Sequence, residues 1–201
     1  MRRIVNAGVA LAVALPLMAA YAGTASAHEL HAFLWTGPLP FLPALLLGIG
    51  EGLQTFTTGA SVKIECESLK LHGFILPGST KVLPLKGQYT NCTALGGPAI
   101  VSPVEFELGA EEWLTISGKP IVITVPGAGC SIKIKNGGLN KTLKRVSIFP
   151  KATDLLLSLL VGNVDSESSG GECGAVGIQE GGFFTGFVLL KADSAGILGW
   201  H

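Results

Sequence analysis

Residues Pro120 to Lys135 read PIVITVPGAGCSIKIK, and this stretch decides the fold class. Apolar residues alternate with other residues on both sides of a Pro-Gly-Ala-Gly turn at 126–129, and a period of two is typical of half-buried β-strands. One face of the second strand is apolar, whereas the other face carries Lys133 and Lys135. The stretch therefore predicts a β-hairpin with one buried face and one solvated face.

The same alternation recurs along the chain. It predicts further strands near residues 32–35, 55–75, 82–92, 104–108, 113–116 and 143–149, and two more in 174–191; a phase change near residues 67–68 implies a bulge in 55–75 or a break into two strands. Residues 154–164 fit either a short helix or a strand, and their β surroundings favour the strand. The sequence thus predicts an all-β protein, an antiparallel β-sandwich or flattened barrel of about nine to eleven short strands.

The N-terminal segment has the pattern of a secretory signal peptide. Arg2 and Arg3 precede an uncharged apolar run, and small residues occupy positions Ala25 and Ala27. This combination predicts a signal peptide over residues 1–27, with cleavage before His28. An uncleaved N-terminal anchor is the alternative, which the small residues at the cleavage site disfavour. We therefore predict a secreted or cell-surface protein with no transmembrane span in the mature chain.

The segment that follows, residues 28–54, is apolar and contains three prolines. Proline fixes φ and donates no backbone hydrogen bond, so we expect a short strand near 32–35 and then a loop packed on the domain. An exposed contact surface for a partner is the alternative. Residues 55–201 have the length of one sandwich or barrel and are predicted to form a single β-domain.

The charge composition excludes broad binding of nucleic acid. The chain has fourteen basic and fourteen acidic residues, and the mature part keeps twelve basic and all fourteen acidic ones, a net charge of −2 with neutral histidines. A surface without net positive charge does not attract nucleic acid in general. Hydrophobic residues make up 48% of the chain and charged residues 14%, which indicates a largely buried domain with few surface charges.

The four cysteines, Cys66, Cys92, Cys130 and Cys173, all follow the predicted signal peptide. An even number of cysteines in an oxidising compartment predicts two disulfides, for which three connectivities are possible. We prefer Cys66 with Cys92 and Cys130 with Cys173, because each pair would join neighbouring strands. A zinc site is the alternative, but the chain has no Cys-x-x-Cys pair. No metal or other cofactor is predicted.

Five stretches of the chain carry a resemblance to known proteins. They are Phe33 to Leu39, Phe56 to Gly59, Tyr89 to Cys92, Ile123 to Cys130, and the Cys173 region with Gly186. These stretches resemble a group of secreted, cysteine-paired, β-sandwich-like proteins from high-GC Gram-positive bacteria that has no assigned activity. Many members of that group have a third cysteine pair, where this chain has Phe106, Ile116 and Ser117. The resemblance implies a secreted, disulfide-bonded β-domain and no particular mechanism.

Histidine is the usual general base near neutral pH, but this chain offers few histidines. His28 and His31 lie at the predicted mature N-terminus, His201 is the last residue, and His72 lies on the polar face of a predicted strand. His28 with His31 could bind copper or zinc, although a frayed terminus is the default for such a position. The sequence therefore predicts no catalytic histidine.

Two groups of carboxylates are candidate sites. Glu105, Glu107, Glu111 and Glu112 could serve a glycoside hydrolase, which uses paired carboxylates, but a solvated strand face explains them as well. The acidic segment 165–172 could bind calcium, although its spacing departs from the known calcium-loop pattern, so a flexible acidic loop is the simpler interpretation.

The remaining candidate is a basic stripe formed by Lys133, Lys135, Lys144 and Arg145. If these residues share one face of neighbouring strands, they could bind an anionic wall polymer or a lipid headgroup, whereas the alternative is a solubilising outer face. We therefore predict a non-catalytic secreted or cell-envelope β-domain for surface structure, adhesion or binding of an anionic envelope polymer, with a wall polymer or envelope protein as partner. A carrier of a small apolar ligand and a secreted hydrolase are the alternatives.

Overall fold

The computed structural model describes residues 31–37, 42–134, 146–193 and 196–201, and the prediction of an all-β protein is confirmed. The described residues form fourteen strands and one 3-10 helix. These are β1 (Phe33–Thr36), β2 (Ala44–Thr57), β3 (Lys63–Ile75), β4 (Gly78–Thr80), β5 (Val82–Ala94), β6 (Gly97–Val101), β7 (Val104–Gly109), β8 (Trp113–Ile116), β9 (Ile121–Val125), η1 (Pro126–Ala128), β10 (Cys130–Ile134), β11 (Val146–Lys151), β12 (Asp154–Gly170), β13 (Gly177–Ala192) and β14 (Ile197–Trp200). The predicted hairpin is β9 and β10 with η1 as its turn, and Gly129 takes the left-handed conformation that closes it (φ 55°).

Eight of the strands close into an antiparallel barrel. The ring runs β2, β3, β5, β6, β9, β10, β12 and β13, and β13 pairs with β2 to complete it. Neighbours in the ring also follow one another along the chain, because the remaining strands are insertions between them. The architecture is thus an up-and-down barrel, and closure removes the exposed edges that an open sheet would present.

Three of the inserted strands extend the barrel at one end, which we call the lower end. There β7 pairs with the first half of β5, β8 pairs with β7, and β11 pairs with the first half of β12. At the opposite, upper end the ring strands are joined by tight connections at 57–63, 94–97 and 125–130. The two ends of the barrel are therefore built differently.

A separate three-stranded sheet, ordered β14, β1, β4, covers the lower end. Ala32 and His201 exchange backbone hydrogen bonds at its margin. The backbone of Leu198 donates to Thr153 O (3.1 Å), and Trp200 Nε1 donates to Ala110 O (2.8 Å). These bonds hold the N-terminal and C-terminal strands against the barrel, so that Phe33 and Leu198 are buried.

Alternating side chains of every ring strand point into the barrel and form one core. The fully buried large side chains are concentrated toward the lower end; they include Phe33, Leu46, Ile75, Leu83, Leu85, Leu108, Leu155, Leu157 and Leu190. Polar side chains are buried toward the upper end, namely Gln54, Thr58, Ser166, Ser168 and Gln179. We call these regions the lower half and the upper half of the barrel.

The preference for a strand at 154–164 is confirmed, because β12 covers this segment without interruption. Two loop predictions are wrong. The chain from Ala44 onward is not a packed loop but β2, a ring strand that crosses the predicted boundary at residue 54, since the prolines all precede it. Residues 165–170 are likewise not a loop but the end of β12, where Ser166 and Ser168 face the barrel interior.

The preferred disulfide pairing is confirmed. Cys66 and Cys92 are directly opposite each other on β3 and β5, and Cys130 at the start of β10 is bonded to Cys173 between β12 and β13. Both bridges lie in the upper half.

Within the described part of the chain, no helix is long and apolar enough to cross a membrane.

Candidate functional site

The barrel contains an apolar cavity of about 50 Å³, which is lined by the upper half of the ring and by β7 and β8 and is partly open to the outside. Its described lining consists of Gln54, Phe56, Ile64, Cys66, Tyr89, Val101, Phe106, Leu114, Ile116, Ile121, Ile123, Ile134, Val161, Val164 and Phe184. None of these side chains is charged, and only Gln54 and Tyr89 carry an oxygen or nitrogen. The walls therefore suit an uncharged and mostly apolar occupant.

The size of the cavity limits what it can hold. One water molecule needs about 10–15 Å³ of such space, so the cavity accommodates roughly three to five groups of that size. A water cluster would need two to four polar partners for each molecule, and the apolar walls supply very few. The cavity therefore fits a short alkyl group or a small organic molecule better than it fits bulk solvent.

Gln54 is the polar side chain that lies deepest in this lining, with 1% of its surface exposed. Its Nε2 donates to Phe187 O (3.0 Å) and to Gly52 O (3.4 Å). The pairing of β2 with β13 shifts register between Thr185 and Phe187, so the Gln54 amide bonds carbonyls at an irregular part of the sheet. Because both partners are acceptors, the amide nitrogen must face them, which fixes the orientation of the side chain.

The other end of the Gln54 amide, Oε1, is buried and has no hydrogen-bond partner among the described residues. It lies over Gly186, where an added Cβ would collide with it, and a Cβ at Gly50 would lie 3.1 Å from Nε2. The two glycines thus give the Gln54 side chain the room to lie flat against the barrel wall. An unpaired buried acceptor is costly, so this oxygen is the natural attachment point for a donor group.

Tyr89 provides the second polar group of the lining. Its ring meets Phe184 edge-on, with ring centroids 6.3 Å apart and an interplanar angle of 78°. Burial raises the pKa of Tyr89 well above its ordinary value, because the ionised phenolate would lose its hydration. A tyrosine with its ordinary pKa of about 10 is already neutral at physiological pH, and the raised pKa extends the pH range over which this cavity wall is uncharged.

Of the four residues in the predicted basic stripe, the structure describes one. Lys133 is exposed on β10 and lies opposite Glu167 of β12. Opposite charges that face each other across two strands leave little net charge at that point of the surface. Lys135, Lys144 and Arg145 lie outside the described residues, so the stripe and its polymer partner stay predictions.

The carboxylates proposed for the hydrolase alternative lie away from the cavity lining. Glu105 and Glu107 are half-buried on the outer side of β7, and Glu105 Oε1 lies 2.9 Å from Lys86 Nζ. Glu111 and Glu112 precede β8 in the turn that follows β7. The ion pair and the outward positions agree with the interpretation of a solvated strand face.

The predicted histidine pair is described only in part. The ring of His31 stacks on Trp200, with centroids 4.7 Å apart and an interplanar angle of 15°, so this residue packs against the small sheet. His28 lies outside the described residues. Among the residues that the structure describes, no group of three or more His, Cys, Asp or Glu side chains could hold a metal ion.

Gln54 and Tyr89 were not predicted as site residues from the sequence. For Gln54 a signal exists, because it is an even number of residues away from the inward-facing Ala44, Leu46 and Phe56 and therefore lies on the same face of β2. An isolated polar residue at an inward position of a strand indicates either a buried hydrogen bond or a binding group. The loop prediction for residues before 55 hid this alternation.

Comparison of the chain with protein-family models, with curated proteins and with solved structures gave no significant match.

Proposed function

We propose that this protein is an exported binding protein that carries a small apolar ligand, or the end of an apolar chain, inside its barrel. The observation that carries the proposal is the uncharged apolar cavity of about 50 Å³, which is bounded by the closed eight-stranded ring and by the inserted strands β7 and β8. Barrels of this size have an interior that side chains can just fill or that holds one small ligand.

The two halves of the barrel interior support this function. Large buried side chains fill the lower half, so an apolar ligand has no space there. Toward the upper half, isoleucine, valine and aromatic side chains leave a cavity with apolar walls, and transfer of apolar surface from water into such a site is favourable by about 25 cal/mol per Å². A binding function needs no catalytic group, and none of the described lining side chains is ionised at neutral pH.

Export is part of the proposal. The pattern of residues 1–27 predicts a cleaved signal peptide, and the two disulfides are typical of proteins that fold in an oxidising compartment. A carrier outside the cytoplasm has to keep its ligand site dry while exposed to bulk water. The closed ring and the disulfides in the upper half serve that requirement, because they hold the cavity walls together.

Xenon provides a direct test of the cavity, because it binds in dry apolar sites without needing a hydrogen bond. We expect pressurised xenon to shift the backbone amide NMR signals of Val101, Ile123 and Phe184 in the chain that begins at His28. Val101→Phe should abolish these shifts, because Val101 lines the cavity and the larger ring would fill it.

Ile100→Phe is the matched control, because Ile100 is the adjacent residue on the outer face, with 64% of its surface exposed. It should leave the xenon shifts unchanged. Absence of xenon-induced shifts in the unaltered chain would refute the proposed function, whether or not the Val101 variant folds.

A further inference from the structure

We propose that the ligand carries an uncharged hydrogen-bond donor, a hydroxyl or an N–H group, which donates to Gln54 Oε1. This inference rests on the proposed function and specifies the chemical class of the ligand. The structure assigns the role to Gln54 because its Oε1 is a buried acceptor without a partner among the described residues and its side chain lines the cavity.

Gln54 can act only as an acceptor toward a ligand. Its Nε2 is already committed to the carbonyl oxygens of Phe187 and Gly52, which accept hydrogen bonds and cannot donate them. A flip of the amide would place Oε1 against these two carbonyls and lose both bonds. Ligands that carry only acceptors, such as ethers and esters, therefore gain nothing from Gln54.

Charge and size restrict the ligand further. The described lining contains no charged side chain, so an ammonium or carboxylate group in the cavity would be buried without a counter-charge at a high cost. The space corresponds to roughly three to five water-sized groups, which matches the non-hydrogen atoms of a short aliphatic alcohol or amide. The same group at the end of a longer chain would fit equally if the rest of the chain left through the open side.

A second buried glutamine shows that an unpartnered oxygen alone does not create this site. Gln179 is 8% exposed, and its Nε2 donates to Ser168 Oγ (3.0 Å) and to Ala175 O (2.6 Å), while its Oε1 has no partner among the described residues. However, Gln179 is not part of the described cavity lining. The difference between the two glutamines is access to an apolar space, which provides a matched control.

The test uses two isomers of one composition, 1-butanol and methyl propyl ether, as probes. The alcohol has a donor and the ether has none, and the alcohol loses more hydration when it enters an apolar site. Without a hydrogen bond the ether should therefore bind more tightly. We expect the unaltered chain to bind 1-butanol about tenfold more tightly than the ether, as measured by NMR titration, and the Gln54 side-chain amide signals to shift with the alcohol only.

Two variants assign the preference to Gln54. Gln54→Met keeps the length and removes the acceptor, so the preference for the alcohol should disappear or reverse while the ether still binds. Gln179→Met removes the other buried acceptor and should leave the preference unchanged.

The experiment distinguishes failure of the proposed role of Gln54 from failure of the proposed binding function. Equal binding of both isomers by the unaltered chain, or a preference for the ether, would overturn the inference about Gln54 and leave the cavity as a binding site. Failure of both isomers and of xenon to bind would instead overturn the proposed function. The comparison of isomers in the unaltered chain decides the matter even if the Gln54 variant does not fold.

Discussion

The lower and upper halves of the barrel have the same ring of strands and opposite interiors. In the lower half, Leu46, Leu83, Leu155 and Leu190 are completely buried, and the small sheet adds Phe33 from outside the ring. In the upper half, β-branched and aromatic side chains border a cavity, and several buried side chains are polar. One half is packed for stability, whereas the other keeps an interior space and unpaired polar atoms.

The difference shows which part of this barrel can hold a ligand. A closed ring of fixed width can be filled by leucines, by an inserted cap, or by a ligand. Here the first two fill the lower half, so that the upper half can leave space without unfolding the domain. The empty space and the unpaired acceptors both destabilise the upper half, and this is the half that the two disulfides cross-link.

The largest effect that we expect comes from truncating one leucine in the packed lower half and one leucine that lines the cavity. Leu155→Ala in the lower half should lower the free energy of unfolding by about 4–5 kcal/mol, because a fully buried side chain in a tight core leaves a large void. Leu114→Ala should cost about 2–3 kcal/mol, since Leu114 already faces a cavity and makes fewer contacts there. Urea unfolding at constant pH measures both values, and equal losses would contradict the distinction between the packed core and the cavity.

Removing the disulfides should destabilise the protein almost as much. In the chain-entropy model, Cys130→Ala with Cys173→Ala should cost about 4 kcal/mol and Cys66→Ala with Cys92→Ala about 3.5 kcal/mol. The difference reflects the loops that the bridges close, with sequence separations of 43 and 26. Urea unfolding without reductant measures both losses.

The two bridges also differ in their relation to the cavity. Cys66 lines it, so the loss of that bridge should also change the xenon-induced NMR shifts, whereas the loss of Cys130–Cys173 should not. Unchanged unfolding free energies in both double variants would show that the upper half does not depend on its cross-links.

Adding one methylene group to a valine should change the stability of the protein in opposite directions in the two halves. Val161 lines the cavity, so Val161→Leu should stabilise the protein by up to about 1 kcal/mol and weaken xenon binding. Val188 is fully buried in the lower half, so Val188→Leu should overpack the core and cost about 1–3 kcal/mol. The two valines lie on the paired strands β12 and β13, which makes them a close match. Destabilisation of the same size by both substitutions would contradict the presence of usable space at Val161.

Most of the fold could be predicted because strand alternation is a local signal. The period of two in β9 and β10, and the leucine-rich run in β12, indicated strands correctly, and the four cysteines allowed the right pairing. Closure of the ring could not be read from the chain, since it depends on the pairing of β13 with β2. No local sequence pattern indicates that β13 pairs with β2, because the two strands are far apart along the chain.

The site could be predicted only in part, for a physical reason that Ser166, Ser168 and Gln54 illustrate. Sequence patterns assign polar residues to the outside, and the segment from 165 onward was therefore interpreted as an acidic loop. In a barrel with an unfilled interior, polar residues can occupy inward positions, and hydrophobicity then no longer marks the inner face. A cavity is a property of packing among distant strands, so no single stretch of sequence predicts it.

A further effect, absent at neutral pH, is the pH dependence contributed by Tyr89 in the upper half. Burial raises the pKa of Tyr89 in the folded protein, whereas in the unfolded chain the Tyr89 phenol titrates at about pH 10. Below that pH both states hold the proton, and the contribution of Tyr89 to stability is fully present. Above it the unfolded state loses the proton first, so stability should fall by about 1.4 kcal/mol for each pH unit until the folded protein also ionises.

Tyr89→Phe isolates this effect, because phenylalanine cannot ionise. The difference in unfolding free energy between the two proteins should be constant below pH 10 and should shrink or reverse as the pH rises further. Tyr21 is the other tyrosine and belongs to the predicted signal peptide, so phenolate absorbance of the chain that begins at His28 reports Tyr89 alone. Titration of that absorbance near pH 10 in the folded protein would show that water reaches the hydroxyl freely. The cavity would then be a solvated cleft, and its contrast with the dry interior of the lower half would be lost.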